Sequence, residues 1–134
     1  MKRANLAIAI GAAILAAYAS AAMPQGKSDW VDITSAKELR ALYSNTTFRG
    51  KDGWGNSFVG HYSADGKGIL IVGELRYPRT WEVKDGNQVC VTEQRGTACY
   101  TFQRHHERPN QIKAHNVQQN TFVEFTVEKG APKF

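Results

Sequence analysis

Apolar and polar positions alternate along most of this chain. In "TFVEFTVE", residues 121–128, Val123, Phe125 and Val127 share one parity, and Glu124 and Thr126 lie opposite with Phe122. A period of two marks a strand with one buried face. Segments rich in Val, Ile, Thr, Phe, Tyr and Trp precede it: "TTFRG", "SFVGHYS", "GILIVGELR", "TWEV", "QVCVTE", "TACYTFQRH" and "QIKAHN". Turn signals separate them, among them "GKDGWGN", "SADGKG", "YPR", "KDGN", "EQRG", "ERPN" and "QQN". No long helical crossover is available to join parallel strands. The pattern predicts a mainly β fold, an antiparallel up-and-down β-barrel or sandwich of about eight strands.

One segment breaks the alternation. In "ITSAKELRALYSN", Ala36, Leu39, Leu42 and Tyr43 recur at helical spacing, and Ser35 with Glu38 forms a capping box. A short N-terminal helix over 35–43 follows, ending near Ser44–Asn45. It is too short to stand alone and must pack on the sheet.

The first residues have a third pattern. Lys2 and Arg3 precede the apolar run "ANLAIAIGAAILAAYA", and small residues at Ala19, Ser20, Ala21 and Ala22 lead to Pro24. This is the layout of a signal peptide over 1–22, cut after Ala21 or Ala22. An uncleaved anchor is the competing reading, since roughly 20 apolar residues suffice to span a bilayer; the small residues favour cleavage. Residues 23–33 read as a flexible lead with Trp30 as a candidate docking point. Residues 34–131 read as a single barrel-like domain. The expected location is therefore periplasmic or secreted, with membrane contact only through the signal peptide.

Charge changes the picture little. Of 17 Lys and Arg residues, two leave with the signal, so 15 face 12 acidic ones and the net charge falls from +5 to +3. The basic residues are scattered singly, which is no nucleic-acid footprint.

The only two cysteines, Cys90 and Cys99, flank "VTEQRGTA". A four-residue loop of Glu93, Gln94, Arg95 and Gly96 brings Thr92 opposite Thr97 and Cys90 opposite Cys99. Facing cysteines on neighbouring strands of an exported chain predict a disulfide. Two cysteines cannot fill a tetrahedral zinc site, and a sealed pair lacks the accessible thiolate that nucleophilic or redox chemistry needs.

The order of "ELRALYSNTTFRG", "GHYSADGKG", "TWEVKDGNQVCV", "CYTFQR" and "FVEFTVEKGAP" resembles the small exported proteobacterial proteins grouped as domain of unknown function 995, described as lipocalin-like or barrel-like. The likeness spans about residues 34–131 and rests on Trp81, Val83, Asp85, Gly86, Cys90, Cys99 and Tyr100. A second Trp between the cysteines, as in a typical member, is replaced here by "EQRG". The resemblance implies no catalytic set.

Candidate chemistry is sparse. "QRHHERPNQIKAHN" carries His105, His106, Glu107 and His115 across a turn, and His105 with His115 is the candidate metal pair. His61 stands near Ser63 and Asp65, but the three crowd one strand and its turn, with no G-x-S-x-G elbow. Turn bonding is the expected use of Ser63 and Asp65. The glutamates stand in no motif that pairs them for glycoside cleavage. The glycine-dense "GKDGWGNSFVG" lacks the features of a phosphate loop and reads as a flexible connection.

Aromatics carry more. Trp54 among glycines and Tyr77 in a loop with Pro78 are the candidate partner or ligand contacts, with His61 beside them. Trp81 is expected in the core.

These readings converge on an exported, non-catalytic binding or accessory module of the cell envelope. Its partner would be an envelope protein, a polymer or a small apolar ligand, with inhibition of a secreted hydrolase as a specific case. No cofactor is expected, and the residues specify no oligomer. The alternative is a periplasmic enzyme using carboxylates or a His-bound metal.

Overall fold

The computed structural model of the protein describes residues 28–132. The expected signal peptide, residues 1–22, and the start of the expected lead lie outside these residues. The strands are β1 (Trp30–Ile33), β2 (Thr46–Lys51), β3 (Ser57–Tyr62), β4 (Lys67–Val72), β5 (Leu75–Lys84), β6 (Gln88–Glu93), β7 (Gly96–His105), β8 (Gln111–Asn116) and β9 (Thr121–Lys129). The helix α1 spans Ala36–Tyr43. From β2 onward each strand pairs antiparallel with the next, and β9 returns to β2 with Thr46 opposite Lys129. The result is a closed eight-stranded antiparallel barrel with one extra strand. Closure leaves none of the eight with a full-length open edge.

The extra strand corrects the expected flexible lead. β6 covers β7 from Gly96 to Tyr100, and β1 takes over the same edge from Phe102 to His105. Without β1 that stretch would expose unpaired N–H and C=O groups beside a buried core. Ile33 turns inward and is buried. "WVDI" is too short and too polar to announce itself as a strand; the vacancy on β7 recruits it.

A second correction concerns "YPR". The turn falls earlier, at Gly73–Glu74, where Gly73 adopts a positive φ of 61°. Tyr77, Pro78 and Arg79 therefore lie within β5, opposite Leu70, Ile69 and Gly68. β5 outruns β6 here, since their register starts at Thr80–Thr92. Pro78 thus has a ladder on one side only, an edge position that proline tolerates.

The cysteine hairpin follows the expected register, with Thr92 opposite Thr97 and Cys90 opposite Cys99. Its loop is tighter than expected. Glu93 pairs with Gly96, which leaves Gln94 and Arg95 as the turn. Cys90 and Cys99 form a disulfide on the outer face of the wall, a bond that fits a non-cytoplasmic, oxidising compartment. The β8–β9 turn lies across it: Val117 N–H donates to Cys99 O at 3.0 Å, and Cys99 N–H donates to Gln118 Oε1 at 3.2 Å.

Helix α1 closes one end of the barrel. Ser35 caps it by accepting Glu38 N–H at 3.0 Å, and the Ser35 hydroxyl contacts the Glu38 carboxylate. Leu39 and Leu42 are buried, each contributing about 1.5–3 kcal/mol. Tyr43 enters the barrel. Its ring centroid lies 4.9 Å from that of Phe48, 4.7 Å from Tyr62, 5.1 Å from Trp81 and 5.8 Å from Phe102. Gly68 makes room for this cluster: a Cβ there would lie 2.4 Å from the Tyr62 ring. Lys129, on the last strand, caps the helix C-terminus through the carbonyls of Ala41 and Ser44, where a cation is favoured.

Candidate functional site

Above the Tyr43 cluster the barrel is not filled. The inward positions leave a cavity of about 610 Å³, open at the end opposite the helix. A barrel of eight strands is just wide enough to pack its interior or to hold one small ligand. Phe58, Leu70, Val72, Phe102, Val123 and Phe125 supply apolar wall. Their placement follows from the period of two: each lies on the inward parity of its strand, as the alternation in "TFVEFTVE" predicts for Val123 and Phe125. Ala114, small and inward, adds room.

A polar cluster interrupts this wall. Arg79 points into the cavity from β5, next to Glu93 on β6. Its Nε donates to Glu93 Oε2 at 2.7 Å, and Nη2 lies 2.7 Å from the same oxygen. Its Nη1 donates to the Tyr62 hydroxyl at 3.1 Å. Arg95, in the following turn, contacts the other oxygen of Glu93 and stacks over the Tyr77 ring at 4.1 Å. Burial opposes the charge on Glu93, but Arg95 and Arg79 outweigh it and hold the carboxyl below its ordinary value. Burial pushes the Tyr62 phenol up, against the pull of Arg79. Burial raises Tyr43 much further, with Tyr62 and Tyr100 adding to the shift. Both phenols therefore remain protonated donors at neutral pH.

The rim is ordered by Asp52. Its carboxylate accepts Trp54 N–H and Asn56 N–H, both at 2.9 Å. The bond from Asn56 N–H leads in holding the Asp52 carboxyl below its ordinary value. This turn was expected to be a flexible connection; Asp52 pins it. Trp54 stands at its tip, 88% exposed, at the cavity mouth. Phe122 is also exposed there.

Of the residues singled out from sequence, Trp54 and Tyr77 both line this cavity, Tyr77 from within a strand and not from a loop. His61 does not. It faces outward on β3, where its Nδ1 lies 3.2 Å from the Thr47 hydroxyl, which in turn donates to Gly130 O at 2.6 Å. Ser63 and Asp65 bond each other and Lys67 N–H within their turn, apart from the His61 ring.

His105 and His115 do not meet. The register sets His115 opposite Thr101, four positions from His105, or about 13 Å along the strand. The His105 ring is buried, and its Nδ1 accepts Glu107 N–H and Arg108 N–H at 3.1 Å each. Its Nε2 faces the Arg108 guanidinium. His115 stacks on Phe122 at 4.6 Å and bonds Asn120. Among the described residues, no three His, Cys, Asp or Glu side chains converge as a metal cluster.

Sequence reading missed Arg79, Glu93, Tyr43 and Tyr62 as a group. A lone arginine after proline reads as surface. Only the parity of Arg79 with Trp81 would have placed it inward. Comparison with protein-family models finds no match, and neither does a search of curated proteins.

Proposed function

We propose that the protein is an exported, non-catalytic binding module that holds one small, mainly apolar molecule inside its barrel. The cavity, walled by aromatic and aliphatic side chains and rimmed by Trp54, is the observation that carries this reading. Sites for small molecules are concave, largely apolar and furnished with a few placed polar groups. Periplasmic or secreted location belongs to the same proposal. It rests on the signal layout of residues 1–22 and on the disulfide, and mass spectrometry of the exported chain is expected to find an N-terminus at Ala22 or Met23. Membership among the proteins of domain of unknown function 995 is likewise proposed and assigns no residue a role.

The test uses the uncharged fluorophore N-phenyl-1-naphthylamine. Titration into the purified protein is expected to give a saturable rise in emission with one site per chain. Leu70→Trp, which fills the cavity, is expected to remove it. A rise that never saturates, or one that Leu70→Trp leaves intact in a folded variant, overturns the reading.

A further inference from the structure

The polar cluster inside the cavity is unbalanced in two ways. Its charges do not cancel: Arg79 and Arg95 share the single carboxylate of Glu93. Its hydrogen-bonding groups do not cancel either. A guanidinium has five N–H donors. Nε, Nη1 and Nη2 of Arg79 each spend one, on Glu93 and Tyr62. The two remaining donors meet no acceptor among the described residues.

Tyr43 adds a second, independent observation. It is 3% exposed and lines the cavity. Its hydroxyl makes no hydrogen bond among the described residues, although a buried hydroxyl without a partner is costly. The Tyr62 ring lies 4.7 Å from that of Tyr43, and its hydroxyl accepts from Arg79 Nη1, which places the phenols and the guanidinium around one region. Tyr100 also lines the cavity without a hydroxyl partner among the described residues.

We infer that the cavity binds a single-chain amphiphile with a carboxylate head, the head accepting from Arg79, Tyr43 and Tyr62 and the chain lying along the apolar wall. This rests on the cavity being the binding site. A carboxylate offers about four lone-pair positions and no donor when ionised, the complement of what the cluster presents. A neutral alcohol head brings no charge and offers fewer acceptor positions. Charge-assisted bonds in a low-dielectric interior make the difference large enough to measure.

Dodecanoate and dodecan-1-ol have the same chain length and differ in the head. Both are expected to displace N-phenyl-1-naphthylamine, the acid about tenfold more tightly. Arg79→Gln is expected to abolish that preference, and Tyr43→Phe to shrink it about threefold, the preference being read as the ratio of acid to alcohol affinity within each variant. Tyr43→Phe removes a hydroxyl that has no hydrogen-bond partner among the described residues, so it decides the matter even where Arg79→Gln does not fold. Equal affinity for acid and alcohol, or a preference that Tyr43→Phe leaves intact, overturns the carboxylate head while fluorophore binding leaves the cavity reading standing. Failure of the fluorophore itself to bind overturns both.

Discussion

At the helix end of the barrel, Leu39, Leu42 and Tyr43 leave almost nothing to water, whereas at the opposite end Trp54 is 88% exposed and Phe122 61%. The chemistry differs as sharply. Around Tyr43 the contacts are ring against ring, with Lys129 closing the helix terminus from outside. At the mouth, order comes from charge: Asp52 pins one turn, and Glu93 ties β5 to the turn that carries Arg95. One end spends its apolar residues on stability. The other displays them, which a free-standing monomer gains nothing from unless something lands there.

Mutations can break this contrast. The largest effect is expected at the helix. Leu39→Ala should cost about 2–5 kcal/mol in urea unfolding, because a fully buried leucine leaves a cavity that the helix cannot collapse. Next comes the clasp. Replacing Cys90 and Cys99 by serine should cost about 2–3 kcal/mol, since the bond restrains the unfolded chain. A loss under about 0.5 kcal/mol at either place would erase the distinction between the ends.

Glu93 sharpens the contrast through pH. Its folded carboxyl lies below the ordinary value of 4.5. Its ionised form thus stabilises the fold fully above that value, and the contribution is lost as pH falls through the lower folded value. Wild-type protein is expected to be more stable than Glu93→Gln at pH 7, with the gap closing as the pH drops below 4.5. A constant gap would mean that Glu93 acts by packing alone. The smallest expected effect on stability is that of Trp54→Ala, within about 0.5 kcal/mol. The same change should weaken N-phenyl-1-naphthylamine binding. Unchanged binding would remove Trp54 from the mouth's function.

Much of this architecture could be read in advance, for physical reasons that differ by region. The parity of Val123, Phe125 and Val127 announced an inward face because one side of a barrel wall is dry. The Cys90–Cys99 register followed from loop length, and the Ser35 cap from local bonding. What escaped depends on distant partners. β1 exists because β6 stops short on β7, and nothing within "WVDI" says so. Tyr77 and Arg79 were hidden by Pro78, whose tolerance depends on β5 outrunning β6. The donor cluster was invisible because Tyr43, Tyr62, Arg79 and Glu93 come from four separate elements.

The seam between β2 and β9 joins the first wall strand to the last, and Lys129 seals the helix that precedes them both. Loop-closure entropy must be met before such distant contacts give anything back. A nascent chain still lacking β9 therefore has two open strand edges, on β2 and β8, and an unsealed helix. It cannot lock into its final shape early, so the chain stays pliable until its tail arrives.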